Sequence, residues 1–183
     1  MRREMQARRT EMSAAVHADA SARIVGHLLD LLAAPKIAAF CWPIKHEPDV
    51  RAVLVDWVKQ GTLAALPVVT APASPLGFRL WTAETVMTED CYGIPTPVSG
   101  DFVQPDLILL PLNGFDRQGY RLGYGGGFFD RTLAVLSPRP LAVGVGFEIN
   151  QLSSIRPEIH DQQLDWIVTE KGAFRPEFSG TGA

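Results

Sequence analysis

Five short runs in this chain are apolar without alternation: Ile37–Cys41, Leu63–Val69, Leu107–Leu110, Ala142–Gly146 and Trp166–Thr169. Successive side chains of a strand point to opposite faces, so a strand with one wet face alternates apolar and polar residues. Strands without alternation have no face for water and must be covered on both sides. The pattern predicts an α/β chain with a central parallel or mixed sheet flanked by helices. With 183 residues and 46% hydrophobic composition, the chain can bury one continuous core, and no linker, repeat or low-complexity tract divides it. We read residues 1–183 as a single domain.

Between the strands the signals are local. Ile24, Leu28, Leu31 and Leu32 share one helical face, and Pro35 ends that region. The segment 1–11 is polar and basic, and is expected to project from the core. Pro43–Pro48 reads as a loop, with Asp49 as the cap of a second helix carrying Val50, Leu54, Trp57 and Val58. Gly61 is placed to stop that helix. Phe78–Trp81 reads as a further strand after a turn at Thr70–Gly77. Thr82–Gly100 reads as irregular, with Gly93–Pro97 as its rigid part, and the tail 176–183 is expected to fray.

Composition excludes several classes of partner. The formal net charge is -3 with no basic block, which argues against nucleic-acid binding while leaving room for a local anion site. No run approaches the ~18 apolar residues of a membrane helix, so no membrane partner is expected. The N-terminus has no apolar core before a cleavage site, and Glu4, Glu11 and Asp19 do not suit an acid-poor transit peptide. Cys41 and Cys91 lack CxxC spacing and read as reduced thiols, in keeping with a cytoplasmic protein. No coiled coil or exposed apolar stripe is evident, so a monomer is expected.

The most informative segment is Pro111 to Arg131. It leaves the carboxyl end of an apolar strand, where α/β sheets collect ligands, and runs into a helix bearing Phe129, Leu133 and Leu136. Gly123, Gly125, Gly126 and Gly127 carry no Cβ, so several backbone N–H groups can approach an anion at the positive end of that helix. Arg121 adds a cation suited to phosphate or carboxylate, and Asp130 a hard oxygen suited to Mg²⁺. Neither common phosphate motif fits: no Lys-Ser/Thr follows the last glycine, and position 128 is Phe where a dinucleotide fingerprint needs glycine.

The run Asn113-Gly114-Phe115-Asp116, then Gly119, then Arg121-Leu122-Gly123-Tyr124-Gly125-Gly126-Gly127-Phe128-Phe129-Asp130-Arg131 resembles the signature of the 5-formyltetrahydrofolate cyclo-ligase family. Further points of resemblance are Glu47, Leu66-Pro67, Ile94-Pro95, His160-Asp161, Asp165 and Val168-Thr169-Glu170, so that the likeness runs from Arg2 to about Glu170. The resemblance implies a three-layer α/β fold. It implies conversion of 5-formyltetrahydrofolate and ATP, with Mg²⁺, to 5,10-methenyltetrahydrofolate, ADP and phosphate. By the same resemblance Arg2 and the stretch Arg121, Leu122, Gly123, Tyr124, Gly125, Gly126, Gly127, Phe128 and Phe129 line ATP. Trp42, Glu47, Tyr124, Gly125, Gly126, Gly127 and Phe128 face the folate, Arg121 and Tyr124 serve catalysis, and Asp130 and Asp161 hold the metal. Three positions depart from the pattern. The family lysine that precedes the motif's arginine would fall before Met1, Phe128-Phe129 stand in place of paired tyrosines, and Val50 follows Asp49 where threonine is common. A folate- or nucleotide-binding paralogue of the same family with little turnover is the alternative reading.

Overall fold

All five unalternating runs form neighbouring strands of one sheet. The protein is described here by a computed structural model covering residues 1–177; the tail from 178 to 183 lies outside the described residues. In chain order the elements are α1 (Arg2–Thr10), α2 (Ala14–Leu31), β1 (Ile37–Ala39), α3 (Arg51–Lys59), β2 (Leu63–Val68), β3 (Gly77–Trp81), β4 (Met87–Glu89), β5 (Pro95–Pro97), β6 (Leu107–Pro111), β7 (Gly114–Phe115), β8 (Arg121–Leu122), α4 (Phe128–Val135), β9 (Leu141–Val145), a 3-10 turn (Glu148–Asn150), β10 (Trp166–Thr169) and β11 (Gly172–Phe174).

The main sheet has seven strands in the order β11-β10-β9-β6-β1-β2-β3. Its five inner strands are parallel, and β3 and β11 pair antiparallel at the edges. Alternate residues of each inner strand enter different apolar layers. Leu107 and Leu109 join Phe40, Val53, Leu54, Trp57, Ile24 and Leu28 on the α2–α3 side. Ile108 and Leu110 join Leu112, Phe115, Leu133, Leu164 and Ile167 on the α4 side. Both faces are therefore buried, which is why the strands carry no polar alternation.

The helix boundaries follow local chemistry. Ser13 caps α2, its hydroxyl accepting from Val16 N at 3.3 Å. Val50 holds the cap position of α3, but the Asp49 carboxylate still accepts from Arg51 N at 3.2 Å. Gly61, at φ +97°, closes α3, with Gly61 N bonded to Val58 O and Thr62 N to Trp57 O.

Two expectations are corrected, and the one for the tail is narrowed to residues outside those described. Segment 1–11 does not project: it forms α1, and Met5 and Arg9 are fully buried. Thr82–Gly100 is not wholly irregular, because β4 and β5 pair as an antiparallel hairpin, with Asp90 accepting from Tyr92 N and Ile94 N at its tip. The tail is anchored at its start: Pro176 is buried against Gly119, where a Cβ would lie 2.4 Å from the proline ring.

Candidate active site

The strand order contains a reversal. From β1 the chain moves outward to β2 and β3; it then returns to β6 on the other side of β1 and continues to β9 and β10. Loops leaving β1 and β6 therefore diverge, opening a crevice at their carboxyl ends, the place where open α/β sheets take ligands. Glu47 lies on the loop after β1, and the glycine loop follows β6 through the small hairpin β7–β8.

The two loops meet directly. Tyr124 donates its hydroxyl proton to Glu47 Oε1 at 2.6 Å, and Ile44 N donates to Glu47 Oε2 at 3.0 Å. Glu47 is only 3% exposed. Burial pushes its carboxyl above the usual value, against the lowering effects of the Tyr124 and Ile44 hydrogen bonds and the Arg9 and Lys45 charges. Burial, with Glu47 beside it, pushes the Tyr124 phenol up, so that the hydroxyl remains a proton donor. The Tyr124 ring is partly exposed and carries Lys45 Nζ at 5.0 Å from its centroid. Lys45 and His46 both adopt positive φ, +48° and +57°. Two successive non-glycine residues in that region are uncommon, and such backbone clusters at functional sites. A cavity of about 340 Å³ opens beside this loop, lined by Ala14, His17, Ile44, Lys45, His46 and Glu47 among others.

The glycine loop is pinned from three sides. Arg2 Nε donates to Gly123 O at 3.0 Å and lies over Gly125, whose φ is +100°. Arg131 donates to Gly126 O, and its guanidinium covers the Phe128 ring at 5.4 Å. Gly127, at φ +62°, is the left-handed residue from which α4 starts. Phe128 also meets Tyr92 of the β4–β5 hairpin, ring centroids 5.9 Å apart. Leu122 is buried, and Phe129 packs on the α4-side core, so these two offer a ligand little side-chain surface.

Arg121 is committed to the protein. Its Nη2 lies 2.8 Å from Asp130 Oδ1, and its Nη1 donates to Gln162 O at 3.1 Å. Gln162 N in turn donates to Asp130 Oδ1 at 2.9 Å, docking the segment that carries Asp161 onto α4. Asp130 Oδ2 accepts no hydrogen bond from the described residues. Asp161 Oδ2 accepts from Glu158 N at 2.8 Å. The described residues hold no group of three or more His, Cys, Asp and Glu side chains suited to a metal ion. Two carboxylates are nevertheless a fitting set for Mg²⁺, which takes one or two from a protein and its remaining oxygens from phosphates and water.

Trp42 lines a second groove that shares His17 and Asp49 with the cavity beside Glu47. It packs on Trp81 at 6.1 Å and under the Arg51 guanidinium at 5.3 Å, on the wall of this apolar groove of about 1110 Å³ between α2 and α3. Its described contacts do not join it to the Glu47–Tyr124 pair. Sequence reasoning missed Arg9, whose Nη2 donates to the Tyr124 hydroxyl at 3.0 Å, and Asn113, whose Nδ2 holds Arg2 O at 3.2 Å. The signal for α1 was slight: Met5 and Arg9 stand four apart on one helical face, but an arginine in such a stripe reads as solvated.

A doubly flanked sheet whose glycine loop meets the Glu47 loop at its reversal point places the chain in the class of α/β proteins with a crevice at the carboxyl ends of the strands. Residues 1–170 match the model of the 5-formyltetrahydrofolate cyclo-ligase family, and the chain belongs to that ligase family. A 5-formyltetrahydrofolate cyclo-ligase of Haemophilus influenzae is 28% identical over 173 residues, covering 90% of this chain and 92% of that protein. One from Mycolicibacterium smegmatis is 29% identical over 138 residues, 70% of this chain and 71% of that one. The NMR structure of Aquifex aeolicus 5,10-methenyltetrahydrofolate synthetase superposes with a TM-score of 0.81 at 26% identity, covering 100% of this chain and 94% of that chain. A synthetase of the same name from Mycoplasma pneumoniae shares the fold, with a TM-score of 0.75 at 22% identity over 92% of this chain and 96% of that one.

Proposed function

We propose that this chain closes 5-formyltetrahydrofolate to 5,10-methenyltetrahydrofolate, using ATP and releasing ADP and phosphate. The observation that carries the reading is the 2.6 Å contact of Tyr124 with Glu47, which brings a buried carboxylate to the edge of a phosphate-type loop. A formamide oxygen is a poor leaving group. Transfer of the γ-phosphoryl to that oxygen activates the carbon, N10 of the folate attacks it, and phosphate departs. Such a reaction asks the protein mainly to position its reactants and to offset negative charge.

The residues divide that work. Backbone amides of Gly123–Gly127 and the start of α4 cradle the ATP phosphates, with Arg2 alongside the loop. Glu47 accepts hydrogen bonds from the amino-pyrimidinone edge of the pterin, as a carboxylate with free lone pairs can. Since Glu47 is buried beneath Tyr124, a pterin reaches it when Tyr124 swings aside on the flanking glycines. Phe128 supplies an aromatic face without a hydroxyl. Arg121 orients Asp130 and the Gln162 segment while adding positive charge beside the loop. Asp130 and Asp161 are the residues that would hold Mg²⁺; bound there with ATP, the ion would neutralise phosphate charge.

The test mixes the protein with Mg-ATP and 5-formyltetrahydrofolate, and follows methenyl absorbance together with ADP. Product and ADP in equal amounts are expected, and Asp130→Ala is expected to abolish turnover with an unchanged circular dichroism spectrum. Tight folate binding without product would instead establish the low-turnover paralogue. Near-normal turnover in Asp130→Ala would remove the metal assignment.

A further inference from the structure

Arg9 is fully buried and makes no salt bridge among the described residues. Its Nη1 donates to Leu112 O at 3.1 Å, just past the carboxyl end of β6, and its Nη2 donates to the Tyr124 hydroxyl at 3.0 Å. Its Nε is buried without a hydrogen-bond partner. Burying a guanidinium with no carboxylate in direct contact is costly, because the charge loses its water without an ion pair to replace it. A residue whose task was only to fill space beneath α1 would serve better as leucine or methionine.

The direction of the hydrogen bonds shows what the cation does. A guanidinium only donates and a carboxylate only accepts. The Tyr124 oxygen must therefore accept from Arg9, and its proton must point to Glu47 Oε1. The chain Arg9–Tyr124–Glu47 has one polarity, and it joins α1, the glycine loop and the loop after β1.

We propose that Arg9 is a positioning residue for folate binding: it holds the Tyr124 hydroxyl on Glu47 before the pterin arrives, and it stays as the buried cation facing the Glu47 carboxylate once Tyr124 has moved. This rests on the reading of Glu47 as a folate contact. The groups that face Glu47 can be named element by element: Arg9 from α1, His17 from α2, Cys41 after β1, Lys45, His46 and Asp49 from its own loop, and Tyr124 from the glycine loop. His17 Nε2 meets the Glu47 main-chain oxygen at 3.0 Å, and Lys45 lies over the outer face of the Tyr124 ring. Arg9 alone among the cations shares the buried side of the carboxylate, where water does not screen it. When a pterin displaces Tyr124, Arg9 remains on its helix to hold the charge.

The experiment measures kcat, KM for each substrate, and folate affinity by intrinsic fluorescence, between about pH 5.5 and 9 in wild type and variants. Arg9→Met keeps the volume and removes the charge. Its acid limb for folate affinity is expected to move up by about one pH unit or more, with KM for ATP nearly unchanged. Arg9→Lys restores the charge and is expected to return the limb towards wild type while kcat stays reduced. Arg9→Gln, neutral but still a donor, serves if Arg9→Met does not fold, and the same upward shift is expected. Circular dichroism and urea unfolding identify the folded variants. A folded neutral variant with the wild-type limb would overturn the proposal, as would uniform weakening at every pH. Glu47→Gln separates the two layers of the argument. Unchanged folate affinity in Glu47→Gln would remove the folate role of Glu47 itself. Weakened affinity there, with no limb shift in Arg9→Met, would remove only the role of Arg9.

Discussion

Glu47 carries opposing demands on fold and function. Burial holds its folded carboxyl above the ordinary value of 4.5. The folded chain therefore binds more protons than the unfolded chain between 4.5 and that raised value. The stabilising contribution is complete below the unfolded value and is lost as pH rises through the folded one. Wild type should accordingly lose stability relative to Glu47→Gln as pH rises above about 4.5, read from urea midpoints across the range. A pH-independent difference between the two would contradict this. On the proposed folate role, ionised Glu47 is the form that receives the pterin, so the pH direction that favours binding is the one that removes this stability. A second residue-scale prediction concerns Gly126, where a Cβ would lie 2.7 Å from the Phe128 ring. Gly126→Ala should displace that ring and raise KM for folate and ATP together, while urea stability changes little. An unchanged KM for both would show that the ring has room to yield. The glycines stood out as candidate site residues through their local chemistry, and Glu47 and Tyr124 only through the resemblance to the family signature. The hydrogen bond between those two was not legible, since 77 residues separate Tyr124 from Glu47.

Among the elements, α1 shows where local reading stops. Its basic sequence suggests a solvated arm, yet Met5 is fully buried and Arg9 reaches Leu112 O across 103 positions of sequence. Met5→Ala should cost about 2–5 kcal/mol in urea unfolding, as for other buried large-to-small changes. It should also lower activity, because α1 carries Arg2 onto Gly123 and Arg9 onto Tyr124. A loss below half a kilocalorie would mean that α1 is only loosely docked. The helix α3 is closer to its local reading: Leu54 and Trp57 are buried as its stripe requires and Gly61 ends it at a positive φ, but Val58, expected on that stripe, is 49% exposed, and Val53 is buried in its place. The β4–β5 hairpin was hidden because Asp90 and Gly93 form its tip with side-chain and backbone bonds that leave no apolar alternation to read.

At the scale of the whole molecule, the two layers of core make a joint prediction. Leu109 packs towards α2 and α3, and Leu110 towards α4, although they are neighbours in one strand. Leu109→Ala and Leu110→Ala should each cost about 2–5 kcal/mol by urea unfolding. A nearly neutral result for either would show one face of the sheet to be poorly covered. The sequence by itself determined that the inner strands are covered on both sides, that helices must do the covering, and where the glycine loop leaves β6. These follow from the period of side chains along a strand and from the chemistry of residues close in sequence. Only the tertiary structure decided that β6 lies beside β1, and so that the reversal of strand order falls between Glu47 and Tyr124. Strand neighbours are chosen by long-range packing across the entire sheet, and that choice set a buried arginine, a phenol and a carboxylate in one line.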